Sequence, residues 1–233
     1  MKKILILFGA TGNLGQTILP ELMTGNYDKY YLVGRNIKEN STENVIYINV
    51  GDLTNEDDVI EAFSKINHSS EDVIFLLSTV GGYLGGQTVD EINYADWLKV
   101  MDFNLNASFL ISKHFIKIAK LAEAGSICII SAKSGFEPEA KKSAYGVSKS
   151  ALNYLIQTIA LEGKDYNISA NAIAPYIIDS EENRKWVKNA QVLVHPKDIG
   201  RFVNQIFDSY NFISGNIFIL PGSMKSSVEF VNK

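Results

Sequence analysis

Ile4-Leu-Ile-Leu-Phe8-Gly9-Ala-Thr-Gly12-Asn-Leu-Gly15 decides the fold. A short apolar, β-rich run passes straight into glycines, and a helical pattern over Leu14–Thr24 follows. A glycine turn between a strand and a helix is the setting in which backbone amides receive a nucleotide pyrophosphate at the helix N-terminus. Glycine permits the tight turn and the close approach of backbone to phosphate. The spacing is G-x-x-G-x-x-G, not the more familiar G-x-G-x-x-G, so the strand–turn–helix context carries the reading. Gly9, Thr11, Gly12, Asn13, Leu14 and Gly15 are the candidate cofactor residues of this turn. The opening Met1-Lys-Lys briefly resembles a signal peptide, but its apolar run is too short and is read as a strand.

Outward from this turn, short apolar runs alternate with helical patterns. The expected strands are Ile4–Phe8, Tyr30–Val33, Val45–Val50, Val73–Leu77, Ile127–Ile130, Ser169–Ala174 and Ile217–Leu220. Several are apolar on both faces, as parallel strands covered by helices require. Expected helices are Leu14–Thr24, Asn55–Lys65, Tyr94–Leu121, Ala144–Glu162 and Pro196–Asp208, with Pro20 limiting the first. The alternation predicts an α/β fold: a Rossmann-type doubly wound parallel sheet of about seven strands with helices on both faces. No linker or internal repeat interrupts it, so residues 1–233 are read as one domain.

Composition narrows the function. With 46% hydrophobic and 21% charged residues and a net charge of −4, the chain is an ordinary globular protein with no basic stripe for nucleic acid. The single cysteine, Cys128, lies in an apolar run and reads as a buried hydrophobe. His68, His114 and His195 are scattered, so no metal site is expected. Nothing approaches transmembrane length, and the expectation is a soluble cytoplasmic protein without membrane partners.

Three later stretches extend the cofactor reading. The second strand ends at Gly34-Arg35, where an acidic residue would bind a ribose 2′-hydroxyl and an arginine suits a 2′-phosphate; Arg35 therefore favours NADP(H) over NAD(H). Asp52 and Leu53, after the third strand, lie where an adenine edge would be met. Thr79, Val80 and Gly81 open the glycine-rich loop Ser78–Gly86, as expected where backbone presses on a ligand at the C-terminal edge of a sheet.

The chemistry is read from Tyr145-Gly-Val-Ser-Lys149. On a helix, positions four apart share a face, which brings an ammonium beside a phenol. A free tyrosine titrates near pH ~10, and a neighbouring cation lowers that value by favouring the phenolate. Among 11 tyrosines this is the only Tyr-x-x-x-Lys spacing.

Taken together, these motifs resemble the short-chain dehydrogenase/reductase family over essentially the whole chain. The matching pieces are Gly9–Gly15, Asp52-Leu53, the loop after the fourth strand, Asn104, Tyr145 with Lys149, and Asn171-Ala-Ile-Ala-Pro175. Within the family, Val80–Gly86, Ser131-Ala-Lys133 and Ile177–Arg184 are similar to a branch that includes dihydropteridine reductase. The resemblance implies that Tyr145 is the general acid/base, that Lys149 lowers its pKa and binds the nicotinamide ribose, and that Asn104 holds a relay water. It also implies that Pro175, Ile178 and Ser180 contact the nicotinamide end, and that residues 179–190 form a mobile lid. Three positions depart from the pattern. The family's serine is replaced by Ala132, with Ser131 and Ser134 nearby; Tyr176 stands where a glycine is usual; and Leu220-Pro-Gly222 replaces Asp-Gly-Gly.

The leading expectation is a reductase passing hydride to a carbonyl, imine or quinonoid small molecule. Tyr83, Tyr176 and Trp186 suggest a flat or aromatic substrate. A non-catalytic NADP(H)-binding redox sensor is the alternative, but it has no need of Tyr145, Lys149 and Asn104. A sugar-nucleotide epimerase suits the glycine spacing, but too few residues follow Ser180 for its substrate domain. The apolar circumference of Trp97–Leu121 and Ala144–Glu162 predicts a homo-oligomer, a dimer or tetramer.

Overall fold

Seven strands, β1 (Lys3–Phe8), β2 (Lys29–Gly34), β3 (Val45–Asn49), β4 (Val73–Ser78), β5 (Ala124–Ile130), β6 (Ile168–Pro175) and β9 (Ile217–Leu220), form one sheet. The structure is a computed structural model and describes residues 1–222. Sheet order is β3-β2-β1-β4-β5-β6-β9 with every pair parallel. All of β4, β5 and β6 is buried, as strands covered on both faces must be. This is the Rossmann-type sheet expected, with strand ends moved by a few residues at most.

Alternation along β1 divides the core. Ile4, Ile6 and Phe8 face a cluster with Phe63 of α2 (Glu56–Ser64), Phe115 of α4 (Ala107–Ala119) and Ile156 of α5 (Ser143–Glu162). Leu5 and Leu7 face the opposite cluster, with Ile18 and Leu22 of α1 (Asn13–Leu22) and Val203 and Phe207 of α7 (Pro196–Asp208). The α1 helix ends at Leu22, soon after Pro20, and α2 is capped by Asn55, which accepts from the amides of Asp57 and Asp58. Phe75 is 1% exposed and touches Tyr27, Phe207 and Tyr210, so truncating it to alanine costs about 3–5 kcal/mol. Asn171 pins the last strand: its amide donates to Ile213 O at 2.9 Å, and its oxygen accepts from the Asn216 amide at 3.1 Å.

Two sequence expectations are corrected. Tyr94–Leu121 is not one continuous helix. It is α3 (Tyr94–Met101), a π-helical turn over Asp102–Asn106, and α4. The wider turn accommodates buried Asn104, whose carbonyl accepts from Ser108 Oγ at 2.8 Å and whose side chain bonds across to the loop after β4. Residues 177–194 also hold more structure than expected: β7 (Ile177–Ile178) pairs with β8 (Leu193–Val194), with α6 (Glu181–Arg184) between them. Among the described residues, no helix is long and apolar enough to cross a membrane.

Candidate active site

The sheet order changes direction at one place. After β3 the chain returns to lay β4 against the other side of β1, and the connections then build outward the opposite way. Such a switch point leaves a crevice at the C-terminal strand ends. Two adjoining cavities fill it, of about 260 Å³ and 540 Å³, and Thr79, Val80 and Gly81 line both.

The smaller cavity is bounded largely by backbone. Gly9 (φ +86°) and Ala10 donate to Val33 O, each at 3.0 Å, and Gly12 donates to Gly9 O at 3.0 Å, which closes the turn. A Cβ on Gly15 would lie 2.1 Å from Gly9 O, and one on Gly9 would lie 2.5 Å from Thr79 Oγ1. Gly12 is the N-cap of α1 and no side chain caps that helix, so its N-terminal amides remain a ready anion site. Thr11 Oγ1 accepts from the Arg35 amide at 3.2 Å and holds the end of β2. Gly9, Thr11, Gly12, Arg35, Asp52 and Leu53 all line this cavity. Hydrogen bonds from the amide and hydroxyl of Thr54, then the charge of Arg35, hold the Asp52 carboxyl below its usual range. Asn13 and Gly15 line neither cavity: Asn13 accepts from Thr17 Oγ1 on α1, and Gly15 allows the helix to pack on the turn.

The larger cavity is bounded by side chains. Leu14, Tyr145, Lys149, Pro175 and Ile178, all candidates from the sequence, line it. Lys149 is 4% exposed and its ammonium donates to Ile130 O at 3.0 Å, so burial pulls its pKa down to about 8. Tyr145 departs from expectation. Its phenol is pushed up to about 12, first by burial and then by Tyr83 and Glu139. The expected lowering by Lys149 is corrected: burial, with Tyr83 and the Glu139 carboxylate, sets the direction, while the lysine is engaged at Ile130.

Asn104 stands behind the loop rather than in the cavity. Its Oδ1 accepts from the Gly82 amide at 3.1 Å, and its Nδ2 donates to Gly82 O at 3.1 Å and to Ser148 Oγ at 3.2 Å. All three side-chain bonds are internal, which makes it a clamp on the glycine loop. Ser180 caps α6 by accepting from the Asn183 amide at 3.2 Å; it does not line the cavity, and Asn183 does. Ala132 is 5% exposed and Ser131 Oγ turns into the core, donating to Asn153 Oδ1 at 2.5 Å.

Ser134 lines the cavity together with Ser131 and Ala132, and its hydroxyl donates to Glu139, which also receives Lys142 Nζ at 2.6 Å. Glu139 and Lys142 were missed from sequence, where 138–142 reads as a polar loop. Tyr83 stands edge-on to Tyr145 at 5.1 Å between ring centres, and Lys133 lies over Tyr176 at 4.4 Å. With Trp186 these rings form the outer wall.

The residues present fit a dinucleotide. The glycine cradle admits no side chain at Gly9 or Gly15, and the cavity lined by Arg35 meets the one lined by Tyr145 at Thr79, Val80 and Gly81. Among the described residues, no cluster of three or more His, Cys, Asp and Glu could hold a metal.

The chain resembles several known proteins. Human dehydrogenase/reductase SDR family member 4 is 26% identical over 172 residues, covering 68% of this chain and 61% of that protein. Galactitol 2-dehydrogenase of Rhizobium johnstonii is 28% identical over 138 residues, covering 58% of this chain and 53% of that protein. The matched stretch therefore spans less than two thirds of either relative. A solved structure of ElxO with NADP bound superposes with a TM-score of 0.81 at 22% identity, covering 94% of this chain and 97% of that one, and so shares the fold. Residues 3–191 match the family model described as short chain dehydrogenase, and the chain belongs to that family.

Proposed function

We propose that the protein is an NADP(H)-dependent oxidoreductase that reduces a small, flat carbonyl, imine or quinonoid compound. One observation carries this reading: the cavity lined by Arg35 and the glycine turn adjoins the one lined by Tyr145 and Lys149, with Thr79, Val80 and Gly81 lining both. ElxO, which shares the fold, is described with NADP bound. Bound NADPH would supply the hydride.

This chain's residues supply the remainder. The amides at the start of α1 hold the pyrophosphate, Arg35 pairs with the 2′-phosphate, and Asp52 and Leu53 flank the adenine. Thr79, Val80 and Gly81 press on the cofactor's middle, Leu14, Pro175 and Ile178 enclose its nicotinamide end, and Lys149 reaches the ribose. Tyr145 lines the larger cavity with its phenol protonated at neutral pH, and so has a proton to donate there. Asn104 keeps the loop, and hence the groove, in register through Gly82. Residues 179–190, with α6, form the lid of a single domain. Ala132 leaves the reacting atom one donor short, which suits a substrate that needs little polarisation. A quinonoid ring of the kind handled by the dihydropteridine-reductase-like branch fits that requirement.

The protein assembles with itself. Leu98, Phe109, Val147, Tyr154 and Leu161 remain exposed on α3, α4 and α5, and among the described residues β9 is the last strand at its edge of the sheet; together they support a dimer and, through β9, a tetramer. A monomeric mass by light scattering at micromolar concentration would rule this out.

The deciding experiment is NADPH oxidation against quinonoid dihydropterins, quinones, ketones and aldehydes. For whichever compound is reduced, Tyr145→Phe should lower turnover by about 10²–10⁴-fold with NADPH affinity unchanged. A Tyr145→Phe protein as active as the parent would overturn the mechanism. Silence across the panel with NADPH binding intact would favour a redox sensor.

A further inference from the structure

Beyond the nicotinamide end, the polar groups Ser134 and Lys142 line the larger cavity and converge on one carboxylate, Glu139. Burial opposes ionisation there, yet the bonds from Lys142 and Ser134 keep the Glu139 carboxyl below its ordinary value. An ionised carboxylate accepts only, so the direction of each bond is fixed. Ser134 spends its one hydrogen on Glu139, which leaves its oxygen as an acceptor. Lys142 spends one hydrogen of three, which leaves it a donor, and the two charges cancel.

The surroundings hold this arrangement. Lys141 has a left-handed backbone (φ +64°) just before α5, and its carbonyl accepts from the Gly86 amide at 2.8 Å, tying the turn to the loop after β4. The Ser134 carbonyl packs against Gly146, where a Cβ would lie 3.2 Å away. The Lys142 ammonium is 5.9 Å from the centre of the Tyr83 ring, which stands on Tyr145.

We propose that Ser134, Glu139 and Lys142 form a substrate-anchoring triad that selects a flat ring bearing a neutral hydrogen-bond donor next to an acceptor. A lactam, amide or vicinal hydroxy-carbonyl meets this requirement: its N–H or O–H goes to Ser134 Oγ and its carbonyl oxygen to Lys142 Nζ. A carboxylate has no hydrogen for Ser134 and faces the charge of Glu139. Ser134 and Lys142 are specificity residues, and Glu139 is a positioning residue acting through both. The assignment rests on the function proposed above only in taking this cavity as the substrate's.

The test compares three small probes: isoindolinone (donor beside acceptor), N-methylisoindolinone (acceptor alone) and benzoate (anion). Each is titrated by ligand-observed NMR into the full chain with and without saturating NADPH. Isoindolinone should bind roughly tenfold more tightly than either of the others. Ser134→Ala should abolish the preference over N-methylisoindolinone. Glu139→Gln should release the charge of Lys142 and improve benzoate binding roughly tenfold. If Glu139→Gln melts well below the parent, Lys142→Met replaces it, and isoindolinone should then lose its advantage. Preference for benzoate in the parent, an order unchanged in the variants, or no binding of any probe at millimolar concentration would overturn the triad. Failure of NADPH to bind would instead count against the proposed function, while the order measured without NADPH still tests the triad.

Discussion

The two halves of the groove are built in different ways. The half at β1, β2 and β3 is written in backbone: a left-handed glycine, a helix without a side-chain cap, and a place where a Cβ would meet a carbonyl at 2.1 Å. The half at β4, β5 and β6 is written in side chains, whose protonation depends on one another: Tyr145 on Tyr83 and Glu139, and Glu139 on Ser134 and Lys142. Backbone sites tolerate little change in shape, whereas side-chain sites can be retuned one residue at a time. The first half therefore reads as a fixed grip and the second as the adjustable part.

The sharpest break should come from Gly15→Ala. Its Cβ would meet main-chain atoms that have no freedom to move, so NADPH affinity should fall by about 10–100-fold, corresponding to roughly 1–3 kcal/mol of strain. Calorimetric titration with NADPH checks this, and an unchanged affinity would refute the rigid grip. Next, Arg35→Ala should remove about 1.5–3 kcal/mol of preference for NADPH over NADH and leave NADH binding unaltered. If both cofactors weaken equally, Arg35 is not reading the 2′-phosphate.

Two smaller effects probe the adjustable half. Lys149→Met removes a buried charge whose pKa lies at about 8 rather than near 10.5, and removes one bond to Ile130 O. The variant should melt higher at neutral pH, by about 1–2 kcal/mol, although it binds cofactor poorly. Between pH 8 and 10 the unfolded parent holds this proton and the folded parent releases it, so parental stability gains with rising pH. The advantage of the variant should therefore shrink across that window in paired melting curves; a constant gap would disprove the assignment. The least effect is expected from Ala132→Ser, which restores a donor near Tyr145 and should raise turnover of ketones, by about fivefold, more than that of quinones. Equal gains for both would remove the link between Ala132 and substrate reactivity.

Most of the fold was legible because its signals are local. Apolar strands punctuated by glycine, alternating with stretches of helical apolar spacing, announce a doubly wound sheet residue by residue. The glycine turn and the Tyr145–Lys149 spacing were legible for the same reason. The π-turn at 102–106 was not, because a five-residue turn leaves no periodicity of its own and is held by bonds from Asn104 to Gly82 and Ser148, distant in sequence. Nor was the direction of the Tyr145 shift, which sums burial with the influence of Tyr83 and Glu139 from separate loops. Glu139 and Lys142 are three apart in an irregular stretch, a spacing that has structural meaning only once the turn at Lys141 is known.

The order of strands also has a consequence for synthesis. As the chain leaves the ribosome, β1, β2 and β3 complete one flank first, and among the described residues β4 is the one strand that must go back and find an older edge. Every later strand of this sheet lands beside the one just made. At about 5–20 residues per second, the nascent protein spends several seconds as a half-sheet whose open side is β1, apolar from Ile4 to Phe8. That interval, not the mature protein, is when a chaperone or a second nascent chain would find something to hold, and the arrival of β4 ends it by creating the crevice.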